Sequence, residues 1–231
     1  MLEINKIYCG DCLELMGGLP DGSIDLLLTD PPYGINADDA AHNAAQQRKK
    51  AQKPQDKITS AVKSKAGRGW IDYGPGGWDN KRPTRAYFHE MLRATKNQII
   101  WGGNYFADML PATMRWLVWD KGQRGFSLAD GELAWTSYHK ALRIIDYSRA
   151  KALGDGKAHP TQKAVSVMIW CILEHTDPGD TILDPFLGSG TTAVAALKTG
   201  RNFIGIEIDP KYCEIAQKRV DAELAQTKLA L

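Results

Sequence analysis

The sequence lacks a hydrophobic run long enough to cross a membrane. Its longest apolar stretch, residues 164–173, is interrupted only by Ser166. A membrane-spanning helix needs about 20 such residues, so this stretch is too short. The first residues, MLEINKIYCGD, contain no basic region followed by an apolar segment of the kind found in export signals. We therefore expect a cytoplasmic protein without a membrane partner.

Cysteine is also scarce, with four residues in a chain of 231. So few cysteines do not form a disulfide framework in a chain of this length, which fits a reducing compartment. Cys9 and Cys12 have the spacing of a metal-binding pair, but a closed zinc site needs two further clustered ligands. The other two, Cys171 and Cys213, fall in predicted helices. We therefore expect no metal.

Strong compositional bias is absent as well. Hydrophobic residues make up 43% of the chain and charged residues 24%, as in ordinary globular proteins. A chain of this length buries about 70% of its surface on folding, which is enough for one core. We predict a single domain over residues 1–231.

The net charge of +2 hides an uneven distribution along the chain. Residues 46–68 carry eight basic side chains and one acidic one, and residues 140–163 carry six basic and two acidic ones. The remainder of the chain is therefore acidic. Two basic segments on an acidic body suit a polyanion such as nucleic acid. From charge alone, a solvated loop whose lysines keep the chain soluble is an equal alternative.

Hydrophobic patterning predicts strands that alternate with helices, which is typical of an α/β fold with a mainly parallel sheet. Residues 37–69 have no sustained hydrophobic period and are predicted to be a mobile basic insertion. Residues 139–158 are predicted to be irregular and basic. The predicted strands are residues 2–8, 23–28, 98–101, 116–119, 132–137, 181–183 and 203–208. The predicted helices are residues 84–96, 162–175, 191–198 and 210–224.

An unusual turn, Asp30-Pro31-Pro32-Tyr33, follows the second predicted strand. Consecutive prolines have fixed φ angles and no backbone donors, so Asp30 and Tyr33 flank a rigid, extended turn. Ligands of open α/β sheets bind at the carboxyl ends of the strands, where this turn lies. Asp30 and the Pro31 carbonyl could accept both hydrogens of an exocyclic amino group, with Tyr33 stacked on the ring. The turn predicts a pocket for a planar amine, with these four residues as the catalytic group.

A second turn, Asp184-Pro185-Phe186-Leu187-Gly188-Ser189-Gly190, joins a predicted strand to the predicted helix that begins at Thr191. The two glycines let backbone amides approach a ligand, and the first amides of the helix favour a negative group. Glu207 ends the next strand, at about the spacing where an acid binds ribose hydroxyls in Rossmann-like units. We predict an adenosine-type cofactor. The loop does not exclude a nicotinamide, but the lack of Gly-Lys-Ser/Thr argues against a nucleoside triphosphate.

These turns, together with His159-Pro160-Thr161-Gln162-Lys163, resemble the motifs of the β-group amino DNA methyltransferases, which methylate adenine N6 or cytosine N4. Their order along the chain is also similar to that group, as are residues 10–12, 100–104, 119–121 and 205–209. The resemblance implies a Rossmann-like class I methyltransferase fold. In this α/β fold a mainly parallel seven-stranded sheet has helices on both faces, and the motif order is circularly permuted.

The resemblance also implies S-adenosylmethionine as the cofactor. It suggests that Asp11 lies near the adenine, that Glu207 binds the ribose, and that Thr161 and Lys163 meet the carboxylate. From the residues alone, Asp11 and Lys163 would be a solvated turn acid and a surface lysine. The predicted cofactor-binding residues are Asp11, Cys12, Asp30, Thr161, Lys163, Asp184, Phe186, Gly188, Ser189, Gly190, Thr191, Glu207 and Ile208.

The expected reaction is methyl transfer from S-adenosylmethionine to N6 of an adenine flipped out of double-stranded DNA. Similar enzymes that act on cytosine N4 more often have serine at the position of Asp30, so adenine is favoured over that alternative. The sequence contains no Pro-Cys nucleophile, which argues against cytosine C5 methylation. A noncatalytic DNA-binding protein and an RNA methyltransferase are further alternatives.

The two basic segments are assigned to DNA. The insertion is predicted to contact phosphates, and residues 139–158 form a short candidate target-recognition segment. A homodimer is implied by the resemblance alone. The predicted DNA-binding residues are Arg48, Lys49, Lys50, Lys53, Arg143, Arg149 and Lys151.

Overall fold

The computed structural model describes residues 2–35, 79, 81–125, 129–154 and 162–229. It divides the chain into two units, of which the larger comprises Met1–Pro31, Pro83–Ala158 and Gln162–Leu231. The smaller comprises Pro32–Arg82 and His159–Thr161. The predicted insertion 37–69 lies outside the described residues, as do Arg48, Lys49, Lys50, Lys53 and Thr161. Among the residues described, no helix combines the length and apolar character that a bilayer crossing requires.

The larger unit is built on one eight-stranded sheet with the order β1-β8-β7-β2-β3-β5-β4-β6. Strand β5 is antiparallel to both of its neighbours, and every other pair is parallel. The strands are Lys6–Cys9 (β1), Ile24–Thr29 (β2), Thr95–Trp101 (β3), Trp116–Asp120 (β4), Gly131–Thr136 (β5), Arg143–Asp146 (β6), Thr181–Asp184 (β7) and Asn202–Glu207 (β8).

Helices cover both faces of this sheet. Leu26 and Leu28 of β2 belong to a buried cluster formed with α4, α5 and part of α6. Leu27 points to the opposite face, because side chains alternate along a strand. Helices α1 and α2 pack against each other, and α2 packs against β3. The helices are Cys12–Met16 (α1), Arg85–Ala94 (α2), Arg149–Gly154 (α3), Val165–His175 (α4), Thr191–Lys198 (α5) and Pro210–Leu229 (α6), with a 3₁₀ helix at Gly103–Phe106.

The predicted α/β class, the mainly parallel sheet and the helices on both faces are confirmed. The described sheet has one strand more than the seven predicted. The additional strand β6, with α3 after it, lies in the segment 139–158 that was predicted to be irregular. Ile145 packs on the core while Ile144 is exposed, as expected for alternating side chains of an edge strand. Two isoleucines among basic residues are too short a run for sequence periodicity to detect.

The topology brings the chemically distinctive residues to one edge of the sheet. Strand β2 lies between β7 and β3, and all three are parallel, so the segments after them meet at their carboxyl ends. Asp30 follows β2, and Asp184 and Glu207 end β7 and β8. Because β5 runs the other way, its first residues, Gly131 and Glu132, reach this same edge.

Candidate active site

Asp30 forms an ion pair with Lys163 at the carboxyl end of β2. The Lys163 Nζ lies 3.0 Å from Oδ1 and 2.9 Å from Oδ2 of Asp30. The lysine side chain is only 5% exposed, whereas that of Asp30 is 24% exposed. A buried ammonium needs a carboxylate partner, so the pair fixes the orientation of Asp30. The sequence predicted that Lys163 meets a cofactor carboxylate, and that role stays a prediction.

Lys163 has a second carboxylate partner, Glu132 of β5. Its Nζ lies 2.5 Å from Oε2 of Glu132, as an ion pair without a well-directed hydrogen bond. The other oxygen, Oε1, lies 2.5 Å from Nζ of Lys121. Burial acts to raise the pKa of Glu132, but the two ammonium groups outweigh burial and hold it at about 2. Glu132 is therefore ionised, and sequence patterning did not identify it.

The residues that follow Pro31 in the turn belong to the smaller unit. The carboxylate of Asp79 accepts hydrogen bonds from the backbone N–H groups of Tyr33 (2.6 Å) and Gly34 (2.9 Å). Asp79 is buried. Gly34 has a φ of 71°, and a Cβ there would lie 2.9 Å from Cγ of Arg82. Asp79 therefore closes the turn that contains Tyr33, and sequence reasoning missed it.

Asp184 ties the glycine loop to the neighbouring strand and helix. It accepts hydrogen bonds from the hydroxyls of Thr29 and Thr192, each at 2.6 Å, and from the backbone N–H of Phe186 at 3.1 Å. Burial raises the pKa of Asp184 to about 6, although these donors act in the opposite direction. Its two oxygens thus join β2, the loop and α5.

Two glycines of the loop have different surroundings. Gly190 has a φ of 85°, and a Cβ there would lie 2.9 Å from Cβ of Ala216 in α6. Gly188 has a φ of 54°, but a Cβ there would meet nothing within 4 Å. Gly190 is therefore required by close packing as well as by its backbone conformation, whereas the direction in which a side chain at Gly188 would extend is open.

Glu207 faces the loop from the end of β8. Its Oε2 accepts the N–H of Gly188 at 2.7 Å, and its Oε1 accepts the N–H of Asp209 at 2.9 Å. Burial raises the pKa of Glu207, against the effect of these amides. Each carboxylate oxygen has a further lone pair and can accept a second hydrogen bond. The adjacent Ile208 is 69% exposed, so an acceptor and an apolar side chain lie next to each other.

Asp11 caps α1 and contacts a tyrosine that the sequence analysis did not single out as functional. Asp11 Oδ1 accepts the N–H of Leu13 at 2.7 Å, and the hydroxyl of Tyr87 lies 3.1 Å from Oδ2. The Tyr87 ring lies 6.2 Å from that of Phe186, centroid to centroid. Cys12 is buried, and burial raises the pKa of its thiol to about 12. Tyr87 thus connects two residues predicted to bind the cofactor.

Ser189 is held from two sides. Its hydroxyl donates to Oε1 of Gln162 at 3.1 Å. Arg219 of α6 donates from Nη1 to the Ser189 carbonyl at 2.6 Å, and the same nitrogen lies 3.3 Å from the Thr191 hydroxyl. Burial lowers the pKa of Arg219. No feature of the amphipathic pattern of α6 marks this arginine, so the sequence analysis missed it.

Three of the residues predicted to bind DNA lie in the described part of the chain. Arg143 and Lys151 are exposed, and Arg149 is half-buried. Within the ranges that the structure describes, no group of three or more histidine, cysteine, aspartate or glutamate residues could hold a metal ion.

Comparison with known proteins gives a consistent set of similarities. The family described as DNA methylase, of the N6/N4 type, matches residues 42–218. The Type II methyltransferase M2.DpnII of Streptococcus pneumoniae is 29% identical, over 92% of this chain and 88% of its own length. M2.MboI of Moraxella bovis, also a Type II methyltransferase, is 25% identical, over 93% and 86%. The structure of the M1.HpyAVI complex with SAM aligns with a TM-score of 0.54 and 22% identity, over 93% of this chain and 98% of the other, which shows a shared fold.

Proposed function

The chain belongs to the DNA methylase family, and we propose that it transfers the methyl group of S-adenosylmethionine to the exocyclic N6 of an adenine in double-stranded DNA. The observation that carries this proposal is Asp30, oriented by Lys163 at the carboxyl end of β2. The curated relatives are named Type II methyltransferases, which supports site-specific methylation as in a restriction–modification system.

The residues around the glycine loop fit S-adenosylmethionine. The open space at Gly188, next to the carboxylate of Glu207, suits a ribose. The exposed Ile208 suits the face of a purine. Asp11, Phe186 and the other predicted residues of the loop would hold the rest of the molecule. When bound there, the cofactor supplies a methyl group on a positively charged sulfur.

Asp30 has two tasks in this reaction. Its carboxylate accepts a hydrogen bond from the amino group of the base, which weakens delocalisation of the nitrogen lone pair into the ring and aims it. As the new N–C bond forms and the S–C bond breaks, N6 loses a proton, and Asp30 is the acceptor proposed for it. The Pro31 carbonyl is the proposed second acceptor. Stacking of Tyr33 on the base stays a prediction.

Contact with double-stranded DNA is assigned to the basic segments. Arg143 and Lys151 are exposed, which leaves them available to phosphates. Arg149 and the basic residues of the insertion are proposed to act in the same way. The homodimer and the cytoplasmic location stay predictions from the sequence.

The test is an incubation of the purified protein with radiolabelled S-adenosylmethionine and unmethylated duplex DNA, followed by mass spectrometry of the nucleosides. We expect N6-methyldeoxyadenosine. N4-methyldeoxycytidine would retain the mechanism and overturn the choice of base. Cofactor binding without any methylated nucleoside would contradict the proposal and favour a noncatalytic DNA-binding protein.

Arg219→Met should weaken S-adenosylmethionine binding about tenfold, because the loop loses the donor that holds the Ser189 carbonyl. Isothermal titration calorimetry measures this change. The matched control is Lys218→Met, which removes a positive charge from the exposed side of the same helix. Equal affinities for the two variants would show that Arg219 does not order the loop.

A further inference from the structure

We propose that Glu132 is a positioning residue for methyl transfer, because it fixes Lys163 against Asp30 and balances the charge of that lysine. This inference rests on the proposed function, in which Asp30 accepts the hydrogen bond of the target amino group. Glu132 belongs to none of the sequence segments assigned to the cofactor or the base. Its role follows from the alternating chain Lys121–Glu132–Lys163–Asp30, which we call the four-charge chain.

The geometry of the four-charge chain is continuous. Three successive ion pairs, Lys121 with Glu132, Glu132 with Lys163, and Lys163 with Asp30, have N–O distances of 2.5, 2.5 and 2.9 Å. The side-chain exposure is 15% for Lys121, 25% for Glu132, 5% for Lys163 and 24% for Asp30. Lys163 is therefore the most buried member of the four-charge chain. The four-charge chain therefore runs from the half-buried Lys121 to the carboxylate of Asp30, the group proposed to contact the target amino group.

The sheet itself determines where Glu132 lies. Strand β5 is antiparallel to β3 and β4, and Glu132 is directly opposite Trp119 of β4. The ammonium groups lie over indole rings, with Lys121 5.0 Å from the Trp119 ring and Lys163 5.3 Å from that of Trp101. Cation–π attraction favours the ammonium at each position. Strand register and two aromatic rings thus hold the lysines on either side of one glutamate.

Charge balance explains why the glutamate matters. Two ammonium groups face two carboxylates, so the four-charge chain is neutral. Asp184, at the end of β7, also interacts electrostatically with Asp30. Without the charge of Glu132, the four-charge chain carries one excess positive charge. Lys163 would then attract the carboxylate of Asp30 more strongly, and Asp30 would be a weaker hydrogen-bond acceptor for the amino group.

The experiment compares Glu132→Gln with Lys121→Met, which break the same ion pair but change the charge in opposite directions. We expect Glu132→Gln to lower kcat about tenfold and to move the acid limb of the kcat pH profile down by about one pH unit. Lys121→Met should move that limb upward, because Asp30 then experiences an excess negative charge. The affinity for S-adenosylmethionine, measured by calorimetry, should stay within threefold in both variants.

The control is Glu174→Gln, which makes the same chemical change at an exposed position of α4. Thermal unfolding of each variant identifies loss of fold, and Lys121→Met still tests the inference if Glu132→Gln unfolds. In one outcome the wild-type enzyme is active, but the acid limbs of Glu132→Gln and Lys121→Met move in the same direction or do not move. That result would overturn the role of Glu132 and leave the proposed function intact. An inactive wild-type protein would overturn the proposed function and this inference with it.

Discussion

Asp30→Ala is expected to lower kcat by about 10²–10³-fold or more, with S-adenosylmethionine affinity changed only a few-fold. The target amine is a poor nucleophile because its lone pair is delocalised into the ring. A fixed acceptor is therefore the main contribution of the protein at the reacting atom, and loss of one such group typically has an effect of this size. Single-turnover methylation of duplex DNA measures the rate, and calorimetry measures the affinity.

The structure also indicates that this variant will fold. Lys163 keeps Glu132 as a partner when Asp30 is removed, so no buried ammonium is left uncompensated. A control for the loss of charge is Asp21→Asn, since Asp21 lies before β2 and its side chain is 82% exposed. A rate for Asp30→Ala within tenfold of the wild type, in folded protein, would remove Asp30 from the role of acceptor.

Much of the fold could be predicted because its elements are local. The hydrophobic run of β2 and the small residues of α5 determine their own structure, and α5 has the predicted bounds. The residues around Asp30 and Glu207 could be predicted for a related reason, since each lies at the end of a buried parallel strand. Such positions can be predicted from the sequence of a single segment.

The missed residues depend on contacts between distant segments. Glu132 reaches the active site only because β5 is antiparallel, and nothing within its own strand indicates that direction. Arg219 and Tyr87 contact their partners across 30 and 76 positions of the chain. Each occupies a position that an amphipathic helix pattern allows for a packing or solvated residue. Spacing within one segment could not distinguish these side chains, which we propose to act in the site, from ordinary ones.

Glu207→Ala should weaken S-adenosylmethionine binding about 100-fold. Hydrogen bonds to a charged acceptor contribute roughly 1.5–3 kcal/mol, and the alanine removes the acceptors proposed for the ribose hydroxyls. The same change takes the partner from the Gly188 amide, so the loop loses part of its support as well. Calorimetry at neutral pH gives the affinity, and Glu214→Gln, an exposed position of α6, is the control.

The pH dependence separates the carboxylate from the loop. Burial raises the pKa of Glu207 above that of an ordinary glutamate, so the wild-type affinity should be complete above that raised value. It should then be lost as the pH falls through it, because protonation replaces an acceptor by a donor. Glu207→Gln is neutral at every pH and should bind weakly with no such decline. If both proteins lose affinity in parallel on acidification, a group other than Glu207 controls binding, and the ribose must be held elsewhere.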